Sequence, residues 1–145
     1  MKIPPEIRAL VEAGTIAHFV TLNRDGSPHV TLIWIGLDGD DIVAAHLPEN
    51  TKVRNIRRDP RVAISLEAKT KSSLELTEYV VLYGEARIEQ GGAPELLQKL
   101  AEVYIRPGIK FPPMDNPPPG FITRVHVTKI DGVGPWTGHG VCKVY

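Results

Sequence analysis

Cysteine is nearly missing from this chain of 145 residues, where Cys142 stands alone. No intramolecular disulfide can form, and a single thiol near the end fits a reducing compartment. Long apolar runs are missing as well. No stretch approaches the roughly 20 apolar residues of a membrane span. The opening MKIPPEIRALVEAGT has two prolines and alternating charge where a signal peptide needs an unbroken apolar run. A soluble, cytoplasmic protein is expected, with no membrane partner. Net charge is absent too, since 17 Lys and Arg balance 17 Asp and Glu, and aromatics make up only 6%. That leaves little for nucleic acid, which needs a broad basic surface with interleaved aromatics. His18, His29, His46, His126 and His139 share no metal-ligand spacing, so no metal is expected. No Gly-x-Ser-x-Gly elbow exists, which excludes that route to a serine nucleophile. Gly132-Val-Gly134 lacks the third glycine and the following helix of a dinucleotide fingerprint.

What is present is concentrated. His46 to Arg61, HLPENTKVRNIRRDPR, holds Lys52, Arg54, Arg57, Arg58 and Arg61 against Glu49 and Asp59. A positive patch inside a neutral chain points to a small anionic ligand rather than a polyanion. Asn50 or Thr51 can cap a helix there. Val53 and Ile56 give that helix a buried stripe, and Asp59-Pro60 stops it. Its first turn combines unpaired N–H groups, the Thr51 hydroxyl and the Lys52 ammonium, a combination that suits phosphate. The competing reading is a solvated basic helix face.

Composition is ordinary for a globular protein, at 42% hydrophobic and 23% charged, and one domain over 1–145 is expected. Residues 1–14 read as a helix with Ile7, Leu10 and Val11 inward and Gly14 ending it. Ile16–Leu22 and Pro28–Ile35 form a hairpin about Asn23-Arg24-Asp25-Gly26. The second arm becomes apolar on both faces through Leu32, Ile33, Trp34 and Ile35, so something must cover its outer face. Ile42–His46 is a third strand and the alternation from Val62 to Glu67 a fourth. Residues 68–77 read as a longer connection. Tyr79–Glu89 is a long strand, bulged or bent at Gly84. Ala93–Ile105 is a helix, with Leu96, Leu97, Leu100 and either Val103 or Tyr104 at helical spacing. Residues 106–120 hold six of the 13 prolines and are irregular, a candidate lid or partner-contacting loop. Phe121–Ile130 is the last strand, and 132–145 is a glycine-rich tail around Trp136. The class is mainly β, a six-stranded antiparallel, Greek-key-like barrel with short flanking helices.

TKVRNIRRDPRV, set between two strands, resembles the phosphate segment of the FMN-binding split-barrel flavoproteins related to pyridoxamine 5'-phosphate oxidase. DGSPHVTLIWI and EYVVLYGEARI fall where that family has strands, and the likeness runs from Thr15 to Trp136. The Lys-x-Arg-Asn-x-Arg-Arg-Asp-Pro-Arg pattern is most similar to the branch using the deazaflavin coenzyme F420. The resemblance implies a homodimer with the cofactor ring in a groove between protomers. It implies that Thr51 and Lys52 contact the phosphate, with Asn55 and Arg57 as supports one turn on. It places Thr31, Leu32, Ile33 and Trp34 along the ring, Ala45 and His46 near the sugar-like chain, Tyr79 at the cofactor and Trp136 over the site. Thr31 and Gly36 stand where true pyridoxamine phosphate oxidases carry basic residues, and their carboxy-terminal substrate motif is absent, which argues against vitamin B6 oxidation.

The resulting expectation is an oxidoreductase in which reduced coenzyme F420 passes a hydride to an unsaturated small organic substrate, with FMN as the alternative cofactor. A non-catalytic carrier of flavin, deazaflavin or haem is the reading from a different class. No catalytic side chain is assigned.

Overall fold

The computed structural model describes residues 1–137, so Cys142 and His139 lie outside the described residues. The chain runs α1 (Pro5–Glu12), β1 (Ala17–Leu22), β2 (Pro28–Ile33), β3 (Gly36–Asp38), β4 (Asp41–His46), α2 (Thr51–Arg58), β5 (Arg61–Lys71), β6 (Thr77–Gln90), α3 (Ala93–Tyr104) and β7 (Phe121–Val133), then a single 3-10 turn at Pro135–Thr137. No helix among the described residues is long and apolar enough to cross a membrane.

All strands join one antiparallel sheet in the order β2-β1-β5-β6-β7-β4-β3. The two edge strands, β2 and β3, are consecutive in sequence, joined only by Trp34 and Ile35. A sheet whose edges are tied by a two-residue link must curl on itself, and the product is a barrel with an open seam. Phe19, Ile35, Ile42, Ile64, Leu82 and Val125 meet in its core. All but Ile35, which lies in the link, come from a buried position on a strand, where alternation turns every second side chain inward. Ile3, Ile7 and Val11 add α1 to the same core.

Three expectations need correction. The described residues form seven strands rather than six, because the chain leaves β1 after Ile33 and Gly36–Asp38 pairs with β4 instead. Residues 68–77 are not a long connection. β5 and β6 continue as a protruding hairpin to the Lys71–Thr77 pair, with a register shift between Glu67 and Lys71. The last strand runs on to Val133, opposite Tyr79, so the irregular tail begins later than residue 132.

The bend at Gly84 is present. Register with β7 slips between Tyr83 and Gly84, since Tyr83 pairs with Lys129 and Gly84 with Val127. A Cβ at residue 84 would collide with the carbonyl oxygen of His126, so only glycine permits this closeness. The slip adds local twist, which a sheet needs in order to curl.

Candidate anion site at the start of helix α2

Helix α2 begins where the sequence puts it. Asn50 is the cap, its Oδ1 accepting the Val53 N–H at 3.1 Å. Val53 and Ile56 are buried, and Asp59, already extended before Pro60, ends the helix. Asn55 is buried as well. Its amide donates to Thr21 Oγ1 and Asn23 Oδ1, both at 3.0 Å, and its Oδ1 accepts from Arg58 Nη2 at 3.0 Å. Asn55 therefore fixes the helix to β1, and both of its side-chain N–H donors are committed within the chain.

The arginines are engaged within the chain. Arg57 pairs with Glu49 and lies over the Phe121 ring, 5.2 Å from its centroid. Arg61 pairs with Asp59 at 2.7 Å. Arg58 donates to the Leu22 carbonyl at 2.7 Å, and Arg54 to the Glu49 carbonyl at 2.8 Å and Thr51 Oγ1 at 3.3 Å. Lys52 differs. It is half-buried, and burial pulls its pKa below the ordinary lysine value. Among the described residues it makes no hydrogen bond or ion pair, unlike the four arginines of the segment. A desolvated cation without a counter-charge is costly, and a bound anion relieves that cost.

His46 ends β4 beside it. The side chain is buried, its Nε2 lies 2.8 Å from Thr123 Oγ1, and burial together with the Lys52 charge pushes its pKa down to about 4. An ordinary histidine titrates near 6.5, so the unfolded chain takes up this proton first as pH falls. The neutral ring's contribution is whole above pH 6.5 and is lost on descent toward pH 4, roughly 3 kcal/mol in all at 1.36 kcal/mol per unit. Thermal melts across that window should therefore show a steep acid loss in the wild type. A His46→Gln variant with an equally steep loss would remove His46 as its source.

Strand β2 adds a second polar feature. Its residues alternate, with Val30 and Leu32 turned outward and His29, Thr31 and Ile33 on the side of buried Ala17, Phe19 and Thr21. His29 lies directly opposite Thr21, the residue hydrogen-bonded to Asn55, so this face adjoins α2. His29 Nδ1 and Thr31 Oγ1 are both buried without a hydrogen-bond partner among the described residues. Such orphans are scarce in folded proteins and mark places where water, an ion or a ligand completes the structure. Sequence reasoning weighed His29 only as a metal ligand and missed it here. The available signal was its two-residue spacing from Thr31 on an edge strand.

The other nominated residues fall into separate groups. Ala45 is half-buried on β4 next to His46. Trp34 is stacked on Tyr104 at 5.5 Å and tilted against Phe111 at 5.3 Å, which commits its ring to α3 and the Pro-rich segment rather than to α2. Tyr79 is exposed on the outer sheet face, and its carbonyl accepts the Trp136 indole N–H at 2.9 Å, so these two do meet. A groove of about 320 Å³ runs between His18, Ser65, Glu67, Thr77 and Tyr79, with His18 paired to Leu32 across the ladder. It does not include Lys52, Thr51 or His46.

Comparison with known proteins agrees with this architecture. The family model described as pyridoxamine 5'-phosphate oxidase matches residues 3–133. A solved F420 reductase is similar at 25% identity and TM-score 0.71, over 89% of this chain and 98% of its own. A conserved hypothetical protein of Mycobacterium tuberculosis is similar at 24% identity and TM-score 0.68, over 91% and 84%. A haem-binding protein of Mycobacterium smegmatis shares the fold at 20% identity and TM-score 0.64, over 91% of this chain and 55% of its own. No curated protein is significantly similar in sequence.

Proposed function

The chain belongs to the pyridoxamine 5'-phosphate oxidase family, and on that premise we propose that it is a homodimeric oxidoreductase using the deazaflavin coenzyme F420. The observation that carries the reading is Lys52, half-buried and without a partner among the described residues, at the capped start of α2. The likeness to an F420 reductase at 25% identity favours the deazaflavin over other cofactors with the same phosphate.

The residues fit such a group. Thr51 and Lys52 would hold the phosphate, aided by backbone N–H groups that precede the first intrahelical bond. Among the described residues β2 is an edge strand, so one side of its backbone has no ladder partner there. The Asn23–Ser27 hydrogen bond sets the ladder so that Thr31 and Ile33 bond β1, which leaves the N–H and C=O of Leu32, flanked by the Thr31 and Ile33 side chains, free to bond the polar rim of a flat ring. His29 Nδ1 and Thr31 Oγ1 supply further polar capacity on the face toward α2. When bound, the reduced cofactor supplies the hydride, delivered to an unsaturated small organic substrate. The chain's part is to bind, orient and exclude water. Turnover of reduced cofactor with an electron acceptor separates this reading from a carrier that only holds flavin, deazaflavin or haem.

FMN remains the second reading, and the arginine pairing bears on the choice. The deazaflavin continues past its phosphate into a lactyl group and glutamates, which an extended positive surface would attract. Glu49 and Asp59 neutralise Arg57 and Arg61, which leaves Arg54 and Arg58 as arginines without a carboxylate partner. Exposed charges of this kind contribute about 0.2–1 kcal/mol each and are screened by salt. Titrations with coenzyme F420 and FMN at low and high salt should give tighter binding of F420, with a preference that narrows as salt rises. Arg54→Ala should narrow it further, and Arg57→Ala should not. Tighter binding of FMN in every condition would make it the cofactor.

A further inference from the structure

The hydroxyl of Tyr104 occupies a distinctive place. Extending the Ala17–Ile33 register by two residues sets Thr15 opposite Ile35, but the strands have parted there and the chain is crossing to β3. Tyr104 Oη stands between them. It accepts the Ile35 N–H at 3.1 Å and can donate to the Thr15 carbonyl at 2.9 Å or the Ile35 carbonyl at 3.2 Å. One side-chain oxygen thus replaces the next rung of the ladder at the point where the barrel splits. Burial raises its pKa, so the group stays a donor at working pH.

The rest of α3 crosses the same seam. The Leu100 side chain lies against Gly36, where a Cβ would come within 3.0 Å of it. The Tyr104 ring stacks on Trp34, the other residue of the link, and Phe111 closes on Trp34 from the Pro-rich segment. Phe111 is itself fixed, since Gln98 Oε1 accepts its N–H at 2.8 Å while Gln98 Nε2 donates to the Ile109 carbonyl at 2.7 Å. The front of that segment is tied to α3 as a strut, not left free as a lid.

We propose that Tyr104 is a positioning residue for the cofactor strand, its hydroxyl and the Trp34–Phe111 contact together fixing the end of β2 at the seam. The functional half rests on β2 being the strand that lies along the cofactor. The structural half does not. An edge strand is held by hydrogen bonds on one side only, so a fixed end governs how accurately its free backbone groups are presented.

The test uses Tyr104→Phe, which keeps the stacked ring and removes only the oxygen, beside Val127→Ala, a core truncation on β7, with each variant measured at the same interval below its own Tm. Hydrogen exchange should rise about tenfold at the bonded amides of His29, Thr31, Ile33 and Ile35 in Tyr104→Phe, with β6 and β7 unchanged. The affinities for coenzyme F420 and FMN, titrated separately, should fall about tenfold in Tyr104→Phe and hardly at all in Val127→Ala. Exchange at those amides that matches wild type, or rises equally across the sheet, overturns the proposal. Equal loss of affinity in both variants reduces Tyr104 to a merely stabilising residue and also overturns it. If the wild type binds neither cofactor, the functional reading fails, and exchange alone then decides whether Tyr104 sets the strand.

Discussion

Lys52→Ala should weaken cofactor binding about ten- to a hundredfold. A charge-assisted contact to an ionised group is worth about 1.5–3 kcal/mol, and each 1.4 kcal/mol is a factor of ten. Burial of the ammonium places this contact toward the stronger end, because partial desolvation limits screening by salt. The four neighbouring arginines do not substitute for it, since each is turned to a carboxylate, a carbonyl or a side chain of this protein. Stability should move the other way. A lysine that served the fold would lower Tm on removal, whereas an unpartnered, half-buried cation should leave the Tm of the cofactor-free protein unchanged or raise it. Cofactor stripped of its phosphate should bind wild type and variant alike. Isothermal titration with intact and dephosphorylated cofactor measures both, and an intact-cofactor affinity that survives Lys52→Ala removes Lys52 from the phosphate site.

Much of this was written in local patterns. Val80, Leu82 and Ala86 alternate with Tyr79, Val81, Tyr83 and Glu85, and the first set is the buried one. Gly84 in that run announced the register slip, and the Asn-Thr-Lys triplet with Asp59-Pro60 announced both ends of α2. What escaped depended on distant partners or on weak burial. The break at Trp34 follows from Tyr104, some seventy residues later, and no local feature of LIWIGLD reveals it. β3 is three residues long, too short for alternation to register. β5 runs on through Lys69, Thr70 and Lys71 with both faces in solvent, where nothing selects apolar residues and the pattern fades. The commitments of the arginines are invisible in one dimension because helix geometry decides which of them reach Glu49, Asp59 or a carbonyl.

Leu32→Asp should convert a cofactor-loaded dimer into a monomer that no longer retains cofactor. Along the outer face of the sheet, register sets Leu32 beside His18, Ser65 and Val81, and Val30 beside Val20, Ala63 and Tyr83. In one chain Leu32 is 60% exposed and Val30 57%. These two lie next to one another on the same strand face, with Tyr83 and Tyr79 farther along the sheet. A contiguous apolar face of this kind calls for a cover, and a second copy is self-complementary about a two-fold axis. Symmetry doubles the penalty, because each substitution is present on both sides. Losing burial of two leucines costs about 3–6 kcal/mol, at 1.5–3 kcal/mol per side chain. Dimerisation should weaken by roughly two to four orders of magnitude. The fold itself should survive, since Leu32 is exposed within one chain, and circular dichroism should match wild type. Light scattering at micromolar protein should read twice the 16.0 kDa chain for wild type and for Leu32→Met, and one chain for Leu32→Asp. The proposed cofactor site is shared between protomers, so loss of the partner should also strip the cofactor. A wild-type monomer that binds one cofactor tightly would overturn the shared site, and a Leu32→Asp dimer would move the interface off this face.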